Sequence, residues 1–513
     1  MRLVEIRTLD GPNVYRLEPA IRIELTVGRR RTWYGQRLPG RHAVVRLGAK
    51  VPARDAPRQV AQLAGWVRRL HRSALGRQVP VGIHRTSEPG HWVVSYPWRE
   101  RGRAESIARA ALRLADNGGE RTLERAIRLI RSADTDAPEW VTDDRRPIPL
   151  ISISGTNGKS TTTRMISHIL RRAGRRVGTT TTDGVLINER IVEEGDYTGP
   201  LGAQAVMSTP GVEVGVLETA RGGIILRGLG YQSNDAAVLT NVSSDHLDLH
   251  GVHTLPELAE VKSVIARVTR PGGLVVLNAD DRLVAGLARS VRAPVCYFSL
   301  RRPTARLRRH LARGGRAMLL EDGWIVSLVG GSRRRIVAVA DVPSTLGGLA
   351  RHNVANALAA AAGAHAIGAT WAQVADGLRH FGAGTRDLPG RLNLYLRGAR
   401  LVIVDFAHNE AGLAAVIDTA EAIIGRRGRR RGTLTTIVGT AGDRPEDSLR
   451  AIAQVAVQRS DEVTIKETLK YLRGRTRAGV IGELRAGAVA AGLPSSAIPV
   501  HDSEVVALQA ELT

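Results

Sequence analysis

Ile151-Ser-Ile-Ser-Gly-Thr-Asn-Gly-Lys-Ser-Thr161 decides how the rest of this 513-residue chain is read. The apolar run Ile148–Ile153 predicts a strand. Gly155 and Gly158 bracket Thr156 and Asn157, and Lys159, Ser160 and Thr161 follow. Met165, Ile166, Ile169 and Leu170 then share one face of a predicted helix. Strand, tight glycine turn and helix N-terminus make a phosphate cradle, because backbone N–H groups and the helix dipole face the anion. Lys159 adds a point charge, and the hydroxyl of Ser160 or Thr161 suits Mg2+. The turn is shorter than the usual phosphate loop, since Ile153 stands where that pattern has its first glycine. An ordinary strand-to-helix turn is the competing reading, and Gly-Lys-Ser-Thr at a helix start makes it the weaker one. Alone, the stretch specifies a nucleotide phosphate and little more.

Length and composition set the frame. A chain of 513 residues holds roughly three domains of ordinary size. No apolar run approaches the ~20 residues of a membrane span. Met1-Arg-Leu-Val-Glu-Ile6 lacks the apolar core of a signal peptide. No membrane partner is expected. One cysteine, Cys296, excludes an internal disulfide and fits a reducing cytoplasm. The net charge of +25 raises a polyanion as a partner. Sixty-nine arginines against five lysines, spread over every segment, read as coding bias for most of that excess. Where arginine serves almost everywhere, a retained lysine marks a site that needs a primary amine. The five are Lys50, Lys159, Lys262, Lys466 and Lys470. A homo-oligomer is left open.

The patterning divides the chain into three units. Residues 1–133 read as a small α+β domain. Ile21, Ile23 and Leu25 alternate with Arg22 and Glu24, as on a half-buried strand, while Val60, Leu63, Ala64, Val67 and Leu70 keep helical spacing. His91–Tyr96 reads as a strand stopped by Pro97, and Ala104–Ala115 and Glu120–Ile130 as amphipathic helices. Residues 134–147, polar and proline-bearing, read as a linker. Through 148–384, runs such as Val212–Leu217, Ala236–Thr240 and Leu274–Leu277 alternate with helical patterns. That predicts a mostly parallel sheet of phosphate-loop type with helices on both faces. Residues 385–513 start afresh as a Rossmann-like α/β domain. Leu401–Val404, Thr435–Val438 and Glu462–Ile465 are its expected buried strands, each followed by a helix. The fold class is α/β throughout. Arg426-Arg-Gly-Arg-Arg-Arg431 reads as a solvated basic loop.

Chemistry gathers at predicted strand ends. Glu218-Thr-Ala-Arg-Gly-Gly223 follows one strand and Thr240-Asn-Val-Ser-Ser-Asp-His-Leu-Asp-Leu-His-Gly251 the next. Open α/β sheets bind ligands at such ends, so Glu218 and His246 are expected near the same Mg2+ as the cradle. Histidine is an unusual Mg2+ ligand, and a helix-start His246 capped by Asp245 stays open as the alternative. Asn278, in Leu277-Asn-Ala-Asp-Asp281, and Asn353, in His352-Asn-Val-Ala-Asn356, carry amides that suit adenine edges, with caps and turns as the plain alternative. Arg391 in Pro389-Gly-Arg391 suits a γ-phosphate, and Asp405 in Asp405-Phe-Ala-His-Asn409 a ribose. Gly439-Thr-Ala-Gly-Asp-Arg444 is a further candidate strand-end loop.

These motifs, in this order, resemble the Mur ligase superfamily, ATP-dependent enzymes that join a carboxylate to an amine. The resemblance covers about 148–490 and is carried by Gly155–Thr161, Asp245-His-Leu-Asp248, His352–Asn356 and Asp405–Asn409. Within it, Gly195-Asp-Tyr-Thr-Gly-Pro200, Glu218–Ile224, His246 through Lys262, and Tyr471-Leu-Arg-Gly-Arg475 resemble the Mur-type half of the cyanophycin synthetase family. Thr8-Leu-Asp-Gly-Pro-Asn-Val-Tyr15 resembles that family's N-terminal domain. The ATP-grasp domain carried between the two has no counterpart here beyond the linker.

The resemblance implies roles by position. Gly155, Thr156, Asn157, Gly158, Lys159, Ser160 and Thr161 would hold ATP phosphates. Ser160 or Thr161, with Glu218 and His246, would hold Mg2+. Lys262 falls where many Mur ligases carry a carbamylated lysine. Asn278 and Asn353 would lie near adenine, Arg391 and Asp405 near the γ-phosphate and ribose, and His408 in the interdomain cleft. Lys159, Lys262, His246, Arg391 and His408 are the implied catalytic set. Phe406 stands where tyrosine is usual and Glu410 where proline is usual, which puts amino-acid specificity in question. The expected function is an ATP-dependent acid–amino acid ligase with a carboxylate acceptor and an amine donor such as arginine. Two other readings stay open. One is a nucleotide-regulated protein that binds a polyanion or peptide polymer without turnover. The other is a ligase of cell-wall precursors or polyglutamyl tails.

Overall fold

The computed structural model describes residues 1–28, 47–48, 50–245, 247–426, 432–468 and 471–512. His246, Lys470 and most of the basic loop 426–431 therefore lie outside the described residues.

The N-terminal unit is an antiparallel sheet of β1 (Arg2–Leu9), β2 (Ala20–Thr26), β3 (Gly82–Arg85) and β4 (His91–Pro97), in the order β1-β2-β4-β3. Helices Arg58–Leu75, Arg101–Asn117 and Glu120–Arg131 bury their apolar stripes against Ile21, Ile23 and Leu25. Val60, Leu63, Val67 and Leu70 are fully buried, as their spacing predicts. Burying each such side chain contributes about 1.5–3 kcal/mol. The alternation in β2 predicted one wet face, yet Arg22 is only 6% exposed. Its guanidinium donates to Glu5 at 2.9 Å and Glu24 at 2.6 Å. The second face of the sheet is turned toward Ile225, Leu226 and His250 of the next unit, across a cleft of about 340 Å3. A charged face is thus covered because it is internally paired.

Residues 134–147 form an extended connection that is tied down along its length. Arg146 pairs with Asp235, Ser233 donates to Asp143 at 2.7 Å, and Gln204 donates to the Glu139 carbonyl at 2.8 Å.

The central unit is an eleven-stranded sheet. Its strands are β5 (Leu150–Ser154), β6 (Val177–Thr180), β7 (Gly184–Ile187), β8 (Arg190–Glu194), β9 (Val214–Glu218), β10 (Asn234–Leu239), β11 (Thr269–Asn278), β12 (Val295–Ser299), β13 (Arg316–Glu321), β14 (Trp324–Val329) and β15 (Ser332–Ala338). The order is β15-β14-β13-β12-β11-β10-β5-β9-β6-β7-β8, parallel from β13 to β6 and antiparallel at both margins. Every residue of β5 and β9 is buried, as in a sheet covered on both faces, and the polar members Ser152, Ser154 and Glu218 are buried with the rest. Helices Lys159–Arg172 and Arg351–Ala366 cover one face, and Pro200–Ser208 and Leu255–Lys262 the other. The alanines of Arg351–Ala366 let that helix lie close on the sheet. A Cβ on Gly363 would sit 3.0 Å from Ile151 and Ile166.

The C-terminal unit differs from the expectation in one respect. The stretch Leu401–Val404 does not join the parallel sheet. It lies in β17 (Arg400–Val404), half-buried and paired antiparallel with β16 (Asn393–Arg397). Gly398, with φ +58°, allows the two-residue turn between Arg397 and Arg400, and a tight hairpin fixes its partner locally. The parallel sheet consists of β18 (Thr435–Val438), β19 (Glu462–Lys466) and β20 (Val500–His501). Among the described residues, no helix is long and apolar enough to cross a membrane.

Candidate active site

The phosphate loop joins β5 to helix Lys159–Arg172. Gly155 has φ +152° and Gly158 φ +81°. A Cβ on Gly155 would lie 1.9 Å from the Thr240 hydroxyl, and one on Gly158 would lie 2.3 Å from Asn356 Oδ1. Both glycines are therefore required by conformation and by close approach.

The end of β10 clasps this loop. The Asn157 N–H donates to Asn241 Oδ1 at 2.9 Å, while Asn241 Nδ2 and Thr240 Oγ1 donate to the Asn157 carbonyl at 3.0 and 2.6 Å. Asn278 supports the clasp from the next strand, its Nδ2 donating to the Thr240 carbonyl at 2.7 Å. Asn353 is only 3% exposed. Its amide donates to the Ser344 carbonyl at 2.8 Å and accepts from Asn356 at 3.1 Å. Asn356, one turn on, is the member of that motif that reaches the loop.

Two lysines sit on loop carbonyls. Lys159 Nζ donates to Thr156 O at 2.9 Å, and the buried Lys262 Nζ donates to Gly155 O at 2.6 Å. Burial, reinforced by the charge of Lys159, holds Lys262 well below the ordinary lysine pKa. At the end of β9, Glu218 is 2% exposed, and neither carboxylate oxygen has a hydrogen-bond partner. Burial pushes its pKa up, with Lys159, the nearby Ser160 hydroxyl and Arg391 acting in the opposite direction. Ser160 and Thr161 are buried at the start of the helix.

This arrangement fits a magnesium nucleotide. A buried carboxylate without partners is costly until a cation joins it. Mg2+ takes one or two carboxylates plus substrate phosphates rather than a full protein cage. Among the described residues, no three His, Cys, Asp or Glu side chains cluster as a metal site.

The C-terminal unit closes over the loop. Asn409 exchanges amide hydrogen bonds with Asn157 at 3.1 and 3.0 Å. It also accepts from the Gly412 N–H at 2.8 Å, at the start of helix Glu410–Arg426. Arg444 pairs with Asp245 across the cleft. His408 Nδ1 donates to the Phe406 carbonyl at 2.7 Å, and its Nε2 stands 3.8 Å from Asp245 Oδ2. Arg391 lies over the Phe406 ring, 4.7 Å from its centroid. Asp405 accepts the Leu392 N–H at 2.8 Å, and burial raises its pKa against the pull of Arg391. Burial also raises Glu410, beside Arg444 and Asp245.

The fold thus brings Gly155–Thr161, Glu218, Lys262 and Asn278 to one end of the sheet, with Arg391, Asp405 and His408 on the facing wall. Asn241, Asn356, Asn409 and Arg444 take part without having been singled out in the sequence. All four stood inside noted motifs, but no local signal says which polar residue of a loop will reach across to another.

Fold and site together define a phosphate-loop α/β protein whose last domain shuts on the loop. Residues 153–364 match the Mur ligase middle domain, and the chain belongs to the Mur ligase superfamily. It is 41% identical over 365 residues to the cyanophycin synthetase of Synechocystis sp., a match covering 71% of this chain and 41% of that protein. It is 30% identical over 355 residues to the UDP-N-acetylmuramyl-tripeptide synthetase of Deinococcus radiodurans, covering 67% of this chain and 66% of that one. The chain therefore spans less than half the length of the cyanophycin synthetase it matches. A bifunctional folylpolyglutamate synthase/dihydrofolate synthase with Mn, AMPPNP and L-glutamate bound shares the fold, with TM-score 0.51, 19% identity, and 71% and 83% of the two chains covered. So does Mycobacterium tuberculosis folylpolyglutamate synthase complexed with ADP, with TM-score 0.50, 21% identity, and 71% and 83% covered.

Proposed function

We propose that the chain is an ATP-dependent carbon–nitrogen ligase that joins a carboxylate acceptor to an amino-acid or amine donor, acting in the cytoplasm. The observation that carries this reading is the convergence of Lys159, Lys262 and the unpartnered Glu218 on one phosphate loop that the C-terminal unit covers. An acceptor carboxylate oxygen bonds to the γ-phosphorus of ATP, and the bond to the β,γ-bridging oxygen breaks, releasing ADP. The donor nitrogen then adds to the acyl carbon, and phosphate leaves as the tetrahedral intermediate collapses.

The chain's part is positioning and charge neutralisation. Gly155–Thr161 hold the phosphates, with Lys159 as the point charge. Arg391 would face the γ-phosphate, Asp405 the ribose, and Asn278 and Asn353 the adenine side. Ser160 or Thr161 and Glu218, with His246 by its place in the motif, would hold Mg2+, which would neutralise phosphate charge. His408 donates through Nδ1 to the Phe406 carbonyl, which orients its Nε2 into the cleft on the side of Asp245. Arginine as donor accords with the similarity to cyanophycin synthetase.

The test is incubation of the purified protein with ATP, Mg2+ and a panel of carboxylates and amines, with products read by mass spectrometry. ADP, phosphate and a new amide are expected with at least one pair. Absence of ADP and phosphate release across the panel would count against the reading. A second expected result concerns Lys262. Lys262→Arg keeps a cation but removes the amine that a carbamate needs, and ADP release is expected to fall by about 100-fold or more. Retention of rate in that variant would remove Lys262 from the machinery.

The charged cleft of about 340 Å3 between the first two units favours one further reading, a peptide polymer held there. Binding without turnover, weakening steeply with salt, would mark the chain as a binding protein instead.

A further inference from the structure

We propose that Glu88, in the N-terminal unit, is a positioning residue for the phosphate loop of the central unit, acting through His253 and the helix Leu255–Lys262. The role of Lys262 in this proposal rests on the nucleotide-site reading above.

The helix connects two distant points. At its far end Lys262 Nζ donates to Gly155 O, inside the phosphate loop. At its near end the chain is fixed by a capping box. Thr254 caps the helix, and Glu257 Oε2 accepts the backbone N–H groups of both His253 and Thr254, at 2.9 and 3.0 Å. Eight residues of helix make a rigid strut about 12 Å long, so tilting one end displaces the other.

His253 is the handle on that strut, and the N-terminal unit grips it. Its Nε2 is 2.6 Å from Glu88 Oε1, and its Nδ1 is 2.8 Å from Asp248 Oδ1. With a carboxylate at each ring nitrogen, both nitrogens donate and the ring is an imidazolium. The hydrogen bond to Glu88 is the chief cause holding its pKa up at about 9. Glu88 is itself held from behind. Its other oxygen is 3.0 Å from His91 Nε2, and His91 Nδ1 is 3.4 Å from Glu24, which pairs with Arg22. A continuous line of paired polar side chains, Arg22, Glu24, His91, Glu88 and His253, therefore runs from β2 of the N-terminal unit to the residue before the helix cap.

The segment ahead of the strut is strained. Asp248 and His250 both have left-handed φ values, +65° and +57°. Non-glycine residues keep that conformation only where their surroundings over-determine it. The turn is closed by Asp248 N–H donating to Val252 O at 2.8 Å, and Arg221 donates to Leu249 O at 3.2 Å. Glu88 supplies the grip from a separate domain.

The experiment uses the full chain without nucleotide, treated briefly with acetic anhydride, and reads lysine acetylation by mass spectrometry. With five lysines in the chain, the Lys262 peptide is read directly. Glu88→Gln, nearly isosteric, is expected to speed acetylation of Lys262 roughly threefold to tenfold and leave Lys466 unchanged. His253→Gln should act alike, the double variant should be no worse than either single one, and Glu88→Asp should recover part of the protection. A cooperative melt in each variant confirms folding. Calorimetry with MgADP should show affinity falling in the same order. Lys262 acetylation at the wild-type rate in folded Glu88→Gln, or additive effects in the double variant, overturns the proposal. Faster acetylation with unchanged MgADP affinity supports the strut and overturns the assignment of Lys262 to the nucleotide site.

Discussion

Lys159→Ala is expected to abolish turnover, with ADP release down by about 1,000-fold or more. Lys159 is the first residue of the helix that follows the glycine turn, so the helix dipole and the ammonium group face the same point. Its Nζ rests on Thr156 O, a contact that holds the charge over the loop without consuming it in an ion pair. A phosphoryl group passing between oxygens leaves the protein little to do except neutralise and orient charge, and this residue is the nearest point charge. The side chain is not part of a packed core, so the variant should melt near the wild-type temperature. Calorimetry with MgADP separates binding from chemistry. Unchanged turnover would move the phosphate site away from residues 155–161.

Glu218→Gln should give two opposite effects in one variant. Turnover is expected to drop by about 100- to 1,000-fold, because the amide removes the anionic oxygen offered to Mg2+. The ligand-free protein is expected to melt higher than wild type. Glu218 is buried at the end of β9, and the burial of its charge outweighs what Lys159, Ser160 and Arg391 return, so the charged form works against folding. The neutral amide of equal shape relieves most of that cost, on the order of 1–3 kcal/mol. A functional group that opposes stability until its ligand arrives is a common property of ligand sites. Scanning calorimetry with and without MgADP checks both effects. The wild type should gain stability from the nucleotide, and the variant should gain little. A variant that melts lower than wild type without ligand would show that Glu218 is partnered in the folded chain.

The sites of chemistry were legible where the covalent order of the chain dictates geometry. A strand followed by Gly-Thr-Asn-Gly-Lys-Ser-Thr places backbone N–H groups at one point whatever surrounds it. Glu218 was found because the end of a buried parallel strand faces the ligand crevice. The clasp was not legible to the same degree. Asn278 and Asn353 were picked for their amides, and the structure spends much of both amides on the carbonyls of Thr240 and Ser344. Asn356 and Asn409 do the reaching.

The sequence by itself determined the α/β class, the strand, glycine turn and helix at 150–172, and the membership of a family of ligases. Those follow from local periodicity, glycine conformations and motif spacing, which any segment carries with it. The tertiary structure alone decided the covered charged face of β2, the hairpin at Leu401–Val404, the amide exchange of Asn157 with Asn409, and the grip of Glu88 on His253. Each joins residues far apart in the chain. Their partners are set by how whole units pack, and paired charges and amides leave no periodic trace in either segment alone.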